Sequence, residues 1–363
     1  MVNNEKQQIV QYMKEKEVDA VALVPGTNLR YITGNKLSQS ERLFLYFLKH
    51  DGQGIYLVPE VEKSKIIMSD QDSVFSYTDG EGPSSLVDKI KDLLPESQKT
   101  ALETNNMRLF EFEFLSKLGM KSYIDVAETL NPLRIQKNAD EISKQQKAVD
   151  ILEESLKATL PFIEVGKTEM EIAAQLEYEM RVRGSEGTPF STIVASGYRG
   201  ALPHGRASEK IIENGDLIVI DFGSIYKGYV GDMTRTVGIG DINAEQREVY
   251  NIVKSAISNA IDAIKIGEKV SNIDTVARNT IKNAGYGDYF THRLGHGIGL
   301  DAHESPYISQ SDQNIIQSGM TFTIEPGIYM ENKFGIRIED NIAVTEDKII
   351  NLMNMNQDLI ILP

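Results

Sequence analysis

Two kinds of apolar spacing mark the first third of the chain. Apolar residues recur at helical spacing over residues 4–16, whereas residues 20–24 form an unbroken apolar run typical of a buried strand. An Asp-Gly pair at 51–52 separates two further apolar runs and is a hairpin turn signal. The expected elements are helices at 4–16, 59–69 and 84–94 and strands at 20–24, 42–49, 54–59 and 99–102. Helices interleaved with strands predict a small α/β domain.

Long helical stretches come in pairs beyond residue 139. Thr168 and Glu171 form a capping box, in which each side chain bonds the other's backbone N–H, so a helix is expected to begin there. The expected elements are helices at 139–162, 168–183, 244–264 and 270–284 and strands at 217–222, 229–237, 321–324 and 335–344. This repeated order of helices and strands predicts two related halves facing each other across antiparallel sheet, an α+β architecture. We expect domains at 1–128 and 129–363.

Composition narrows the class of protein. The 363 residues include no apolar run near the roughly 20 needed to cross a bilayer. The net charge of −15 argues against nucleic acid and anionic membranes as partners, because both attract basic surfaces. Cysteine is absent, which excludes disulfides and thiolate metal ligands and fits the expected cytoplasmic location.

Asp221 and Asp232 lie on two consecutive predicted strands, joined by a connection predicted at 223–228. Side chains alternate faces along a strand, so Asp232 and Thr234 share a face. If the two strands pair as a hairpin, both carboxylates can lie close together on one face. Two buried carboxylates repel each other unless a cation lies between them. The alternative interpretation is that Asp221 caps a strand end and Asp232 is a turn residue.

A glycine-rich stretch at 291–303 holds three of the five histidines of the chain. Glycine lets a backbone approach a ligand closely, and imidazole is a common metal ligand. A lone histidine is more often a structural residue, but three this close together favour a functional site. The residues concerned are His292, His296 and His303 with Gly295, Gly297 and Gly299.

Two further carboxylates follow near strand ends. Glu325 ends the apolar strand predicted at 321–324, and Arg337 and Glu339 share one face of the strand predicted at 335–344. The candidate metal ligands are therefore Asp221, Asp232, His296, Glu325 and Glu339. Oxygen ligands with one nitrogen suit Mn²⁺, Co²⁺, Fe²⁺ or Zn²⁺. Five ligands are too many for one ion with an open position and suit two.

This ordered ligand set resembles the metal site of the pita-bread metallopeptidases, which include methionine aminopeptidase, aminopeptidase P and prolidase. The surrounding motifs match as well. They are FSTIVASG at 190–197, PHG at 203–205, DFGSIYKGYVGDMTRT at 221–236, GHGIGLDAHESP at 295–306, TIEPGIY at 323–329 and GIRIED at 335–340. The NLRYITG segment at 28–34 resembles the N-terminal domain of creatinase, prolidase and aminopeptidase P. The resemblance implies a creatinase-type α/β domain followed by a pita-bread catalytic domain.

The resemblance also implies roles for the ligands. Asp221 and Asp232 would hold one ion, Asp232 and Glu339 would bridge, and His296 and Glu325 would complete the other. The expected cofactors are two divalent ions, Mn²⁺ or Co²⁺ ahead of Zn²⁺ or Fe²⁺. Glu325 would also move a proton from the attacking water to the leaving nitrogen.

The remaining histidines would act beside the metals. His204, His292 and His303 are expected to bind substrate and stabilise the tetrahedral oxyanion. Arg337 would orient carboxylates or contact substrate, and a plain ion pair with Glu339 is its structural alternative.

The implied substrate is a peptide with proline after the scissile bond. Tyr307 is expected to contact this peptide. Dipeptide-restricted members of the family often carry an arginine at this position to clamp the substrate carboxylate, so the tyrosine argues against strict dipeptide specificity, although the short chain fits compact prolidases. We expect an Xaa-Pro dipeptidase that forms a homodimer. The alternatives are an Xaa-Pro aminopeptidase acting on longer peptides, a creatinase-like hydrolase and a binding module without catalysis.

Overall fold

The computed structural model describes residues 2–94, 99–120 and 122–363. The chain divides into two compact units, Met1–Arg134 and Ile135–Pro363. The boundary predicted between residues 128 and 129 lies inside a helix that runs from Ala127 to Ile135. Within the described residues, no helix is long and apolar enough to cross a membrane.

The first unit is built on one mixed six-stranded sheet. Its strands are β1 (Ala20–Leu23), β2 (Leu45–Lys49), β3 (Gly54–Pro59), β4 (Ser73–Tyr77), β5 (Thr100–Leu102) and β6 (Tyr123–Asp125). Their spatial order is β4, β3, β2, β1, β5, β6. β2 is antiparallel to both neighbours, and the other pairs are parallel.

Apolar side chains cover both faces of this sheet. Along β1, Val21 and Leu23 join one buried cluster and Ala22 joins the other, as expected for a sheet with helices on both faces. The helices of this unit are α1 (Val2–Glu15), α2 (Thr27–Thr33), α3 (Val87–Ile90), α4 (Leu109–Lys117) and α5 (Ala127–Ile135). The predicted α/β class of the first domain is therefore confirmed.

Of two further helices predicted in this unit, the one at 59–69 is wrong and the one at 84–94 is confirmed in part. Residues 59–69 contain only a short 3-10 helix, Glu60–Lys65, which buries none of its side chains. Residues 84–94 contain a 3-10 turn at Pro83–Leu86 and the single turn of α3, each with one buried side chain. Helices in proteins gain most of their stability by packing an apolar face. The segment at 60–65 lacks the apolar face that a longer helix needs. Residues 83–94 have a short one, because Leu86 and Ile90 are buried and Val87 and Leu94 pack against the same cluster.

Four long helices form the outer layer of the second unit. They are α6 (Ala139–Thr159), α7 (Glu169–Val182), α8 (Ala244–Asp262) and α9 (Val270–Asn283). The predicted capping box of α7 is confirmed. The Glu171 amide donates to Thr168 Oγ1 at 3.2 Å, and the Thr168 amide donates to Glu171 Oε2 at 2.8 Å. One buried apolar cluster packs α6 and α7 against the sheet that contains the strand Leu217–Tyr226. A second packs α8 and α9 against the sheet that contains the strand Thr321–Ile324.

The strands of the second unit form two sheets and a separate hairpin. They are β7 (Ile193–Ser196), β8 (Leu217–Tyr226), β9 (Tyr229–Ile239), β10 (Gly295–Gly297), β11 (Glu304–Ile308), β12 (Thr321–Ile324), β13 (Gly327–Met330), β14 (Phe334–Arg337), β15 (Asp340–Val344), β16 (Ile349–Asn351) and β17 (Ile360–Leu362). The sheet orders are β17-β9-β8-β7 and β11-β10-β12-β15-β16, and β13 pairs with β14. All pairs are antiparallel except β17 with β9.

The connection between β8 and β9 is shorter than predicted. β8 continues to Tyr226, and Lys227 and Gly228, both at positive φ, form a two-residue turn of the kind that matches strand twist. Gly223 therefore lies within the strand. A Cβ there would lie 2.5 Å from Cγ of Pro189, so this glycine allows close packing and does not form the turn.

The single strand predicted at 335–344 is wrong. β14 pairs with β13, whereas β15 pairs with β12 in the five-stranded sheet. Between them the Glu339 amide donates to the Thr234 carbonyl at 3.1 Å, which joins this crossing to β9. The chain passes from one sheet to the other at Ile338 and Glu339, and this turn brings Glu339 beside the first sheet.

Candidate metal centre and substrate site

The β8–β9 hairpin brings the first two carboxylates onto one face. Asp221 pairs with Thr234 across the ladder, and Gly223 pairs with Asp232. Residues two apart share a face, so both carboxylates point the same way. Asn341 fixes the backbone of Asp232, accepting a hydrogen bond from its amide at 3.0 Å and donating to its carbonyl.

Glycines let β10 carry a histidine between two strands at close range. A Cβ at Gly295 would lie 2.0 Å from the Thr323 carbonyl oxygen, and one at Gly297 would lie 2.3 Å from that of Ser305. The glycines were expected to let the backbone approach a ligand, but the close approach made by Gly295 and Gly297 is to neighbouring strands. It holds His296 almost fully buried, with its amide donating to Thr323 Oγ1 at 3.2 Å.

Three of the five predicted ligands form a tight group. One ligand atom from each of Asp232, His296 and Glu339 lies within 4.8 Å of the others. Glu325 joins this group through its Oε1, 3.3 Å from His296 Nε2. Glu339 Oε2 accepts a hydrogen bond from Thr234 Oγ1 at 2.7 Å. Glu339 Oε1 and Asp232 Oδ1 are buried without a hydrogen-bond partner among the described residues.

Burial and like charge shape the protonation of this group. Desolvation, together with neighbouring carboxylates, raises the pKa of Asp232 and of Glu339 well above the usual range. Desolvation raises the pKa of Glu325 to about 8. Desolvation also lowers the pKa of His296 well below its usual value, so its imidazole is neutral at pH 7. Bare carboxylate oxygens beside a neutral imidazole fit a divalent cation, which would supply the missing charge.

Asp221 lies beside this group and forms an ion pair with an arginine side chain. Arg337 Nη2 forms a buried ion pair with Asp221 Oδ2. Arg337 Nε also donates to Thr234 Oγ1 at 3.2 Å, and Thr234 in turn contacts Glu339. The carboxylate paired with Arg337 is therefore Asp221, and the alternative ion pair with Glu339 is wrong. Arg337 reaches Glu339 only through the threonine hydroxyl.

A tyrosine that sequence reasoning missed joins this arginine to a histidine. Tyr329 OH lies 2.9 Å from His292 Nε2 and accepts from Arg337 Nη1 at 2.8 Å. His292 Nδ1 lies 2.6 Å from the Arg293 carbonyl oxygen. Both nitrogens of His292 are thus engaged, and desolvation lowers its pKa to about 4. Tyr329 stands in the TIEPGIY motif, on the strand that follows Glu325, and that position was the available signal.

The other two histidines expected to act beside the metals, His204 and His303, are more exposed. The ring centroid of His303 lies 3.9 Å from that of His296, although His303 itself reaches the surface. His204 is exposed and follows Pro203, whose carbonyl accepts a hydrogen bond from Arg337 Nη1 at 3.1 Å. Both histidines therefore have rings that solvent or substrate can reach.

Tyr307 is exposed and contacts Arg293, a residue that sequence reasoning missed. The Arg293 guanidinium stacks on the Tyr307 ring at 4.6 Å from its centroid, and Tyr307 is 41% exposed. Desolvation lowers the pKa of His303, and the charge of Arg293 adds to that lowering. The same charge partly offsets the rise that burial causes in the pKa of Glu325. The guanidinium beside Tyr307 is therefore a positive charge that acts on both His303 and Glu325.

Two family models match the chain. Metallopeptidase family M24 matches residues 143–346, and the creatinase/prolidase N-terminal domain matches residues 6–136. The first match contains all the candidate ligands and histidines described above.

Individual relatives match over almost the full chain. An Xaa-Pro dipeptidase of Pyrococcus furiosus is 37% identical over 354 residues, covering 98% of this chain and 99% of the relative. A crystal structure of recombinant prolidase from Thermococcus sibiricus matches with a TM-score of 0.96 at 35% identity, covering 100% of this chain and 99% of that one. An X-Pro aminopeptidase from Thermotoga maritima matches with a TM-score of 0.85 at 34% identity, covering 98% and 99%.

Proposed function

The chain belongs to metallopeptidase family M24, and from that premise we propose that it hydrolyses Xaa-Pro bonds in short peptides, with dipeptides as preferred substrates. The observation that carries the proposal is the group of Asp232, His296 and Glu339, with its two bare carboxylate oxygens. Full-length similarity to an Xaa-Pro dipeptidase and to a prolidase supports the bond type.

Two divalent ions fit the donor set. They would be held by Asp221, Asp232, His296, Glu325 and Glu339. When bound, they supply Lewis acidity that activates water and polarises the scissile carbonyl. Asp221 would exchange part of its pairing with Arg337 for a metal contact. Mn²⁺ or Co²⁺ suit mostly oxygen ligands with one imidazole.

Protein groups carry the protons and orient the peptide. Glu325 Oε1, 3.3 Å from His296 Nε2, takes the proton of the attacking water and passes it to the proline nitrogen as the C–N bond breaks. His303 and His204 have accessible rings and donate to the carbonyl oxygen as its negative charge develops. His292 has both nitrogens engaged, so it positions Tyr329 and Arg337 and does not contact substrate directly.

Arg293 supports the preference for dipeptides. Its guanidinium lies over the exposed ring of Tyr307, and we place the free carboxylate of an Xaa-Pro dipeptide beside it. A guanidinium pairs strongly with a carboxylate, and a longer peptide has no carboxylate there. Tyr307 holds the guanidinium by stacking. The X-Pro aminopeptidase among the structural matches keeps longer peptides as the competing substrate class.

The central test measures proline release from Xaa-Pro and Xaa-Pro-Xaa peptides by metal-free protein titrated with Mn²⁺ or Co²⁺. We expect metal-dependent hydrolysis, faster on the dipeptide. Arg293→Ala should lower kcat/KM on the dipeptide by about 10- to 100-fold, the worth of one charge-assisted hydrogen bond, and change the tripeptide rate little. An equal loss on both peptides would assign Arg293 elsewhere, and no metal-dependent proline release would overturn the proposed function. The predicted homodimer is tested separately, by light scattering.

A further inference from the structure

Glu169 is a buried carboxylate in the second unit that the mechanism above does not use. It is the first residue of α7 and is fully buried. Its Oε1 accepts from the amide and the hydroxyl of Ser196, at 2.7 and 2.9 Å. Its Oε2 accepts from the amide and the hydroxyl of Ser208, at 3.0 and 2.7 Å, and from Arg199 Nη1 at 2.8 Å. One carboxylate therefore receives five hydrogen bonds.

These bonds connect the two ends of one loop. Ser196 and Ser208 flank residues 197–207, and each end is held by a different oxygen of Glu169. Arg199 adds a tie within the loop, because its Nη2 donates to the Arg206 carbonyl at 2.9 Å. The Met170 amide donates to the Ser208 carbonyl at 3.1 Å, which fixes the far end to α7.

A carboxylate is suited to this position for electrostatic reasons. The N-terminus of a helix favours negative charge, and Arg199 supplies a full positive charge to Oε2. All five partners are donors, whereas a glutamine would replace one oxygen by an NH₂ group that is itself a donor. The amide would therefore face donors at one end of the loop and release that end.

The loop reaches the substrate site by two contacts. The Pro203 carbonyl accepts from Arg337 Nη1 at 3.1 Å, next to His204. Gly200 packs against Gly335 of β14, where a Cβ on Gly335 would lie 1.8 Å from the Gly200 carbonyl oxygen. Loosening the loop would therefore displace His204 and remove a hydrogen bond from Arg337.

We propose that Glu169 is a positioning residue, which closes the 197–207 loop and thereby holds His204 against the peptide. The catalytic part of this proposal rests on the proposed function, whereas the loop-closing part does not. A displacement of about 1 Å in a substrate-positioning group can cost roughly 100-fold in rate. A loop held by one carboxylate is therefore a sensitive point of the site.

The test compares Glu169→Gln with Glu171→Gln, a matched change in the same helical turn. Glu171 caps the Thr168 amide and does not bond the loop. We expect Glu169→Gln to lower kcat/KM by about 10- to 100-fold, with bound metal unchanged, and Glu171→Gln to stay within about threefold. Trypsin should cut faster after Arg199 and Arg206 in Glu169→Gln only. If Glu169→Gln fails to fold, Ser208→Ala removes one donor at one end and should show the same effects at smaller size.

A double-mutant cycle tests the route through His204. In a His204→Ala background the cost of Glu169→Gln should shrink to within about threefold, because coupled residues are not additive. Full additivity of the two losses, or unchanged trypsin cleavage of the loop, would overturn the proposal. If the wild type released no proline but Glu169→Gln still opened the loop, the proposed function would fail while the loop-closing role stood.

Discussion

Buried carboxylates at two places in the second unit have opposite surroundings. Glu169, 0% exposed, receives five hydrogen bonds from an arginine and two serines. Asp232 and Glu339, 3% and 1% exposed, lie beside other carboxylates, and each has one oxygen without a partner among the described residues. Burial alone therefore does not distinguish a structural carboxylate from a ligand.

The number of donors makes the distinction. A buried charge is stable when donors and opposite charge replace water, as they do for Glu169. In the group around Asp232, one oxygen of Asp232 and one of Glu339 receive no donor from the described residues. Desolvation and the neighbouring carboxylates therefore raise the pKa values of both carboxyls. A bare oxygen in a cluster of like charge is the structural signature of a position that a cation completes.

Changing a carboxylate to an amide should have opposite effects on Tm at Asp232 and at Glu169. Asp232→Asn should lower kcat/KM by about 10³-fold or more, because it removes a ligand of ions that lower the barrier by several kcal/mol. In EDTA it should leave Tm unchanged or higher, since it relieves repulsion. Glu169→Gln should lower Tm in EDTA by a few degrees, as expected when a buried donor loses its partner.

Melting curves in EDTA and metal content after dialysis check this pair of changes. If Asp232→Asn kept its full metal content and activity, the bare oxygens would not mark ligands. If Tm fell by the same amount in both variants, the number of hydrogen-bond donors would not separate the two kinds of carboxylate.

A smaller effect is expected from a histidine beside the cluster. His303→Ala should lower kcat by about 10²- to 10³-fold, the usual cost of one oxyanion donor, and leave bound metal unchanged. Its ring lies 3.9 Å from that of the proposed ligand His296. His303 is also exposed, so a substrate at the metal centre can reach it. Metal analysis with kinetics on one preparation checks this, and loss of metal would assign His303 to the ligands.

Much of the site followed from strand alternation. Asp221 and Asp232 were predicted to share a face, and the register of β8 and β9 confirms it. Membership of the metallopeptidase family and the α+β class, with a creatinase-type domain before a pita-bread domain, are confirmed by the family and structural matches. These features depend on local spacing and motif order, which a single sequence records.

What sequence reasoning missed depends on contacts between distant segments. Glu339 lies at a crossing between two sheets, which alternation along one presumed strand could not reveal. Tyr329 became relevant only through its contacts with His292 and Arg337. Glu169 stands in the first turn of α7, where acids are common, and its serine partners lie 27 and 39 residues away.

The smallest expected effect is a dependence of stability on pH. Burial raises the pKa of Glu325 from 4.5 to about 8 in the metal-free fold, so the folded state binds this proton more tightly than the unfolded state. Its contribution to stability is therefore complete below pH 4.5 and is lost as the pH rises through 8, at roughly 1.4 kcal/mol per pH unit at most. Divalent metal binds the deprotonated form, so its stabilising effect should grow over the same range.

Thermal melts from pH 5 to pH 8, with EDTA or with Mn²⁺, measure both trends. In EDTA the contribution of Glu325 lowers Tm with rising pH, and Glu325→Gln should flatten that slope, because the amide does not titrate. In Mn²⁺ the gap in Tm between loaded and metal-free protein should widen toward pH 8. Glu169→Gln is the control, because it changes a buried carboxylate outside the metal group and should leave the widening gap intact. A gap that stayed constant in the wild type would mean that metal binding displaces no proton, and the bare oxygens would then be charged before metal arrives.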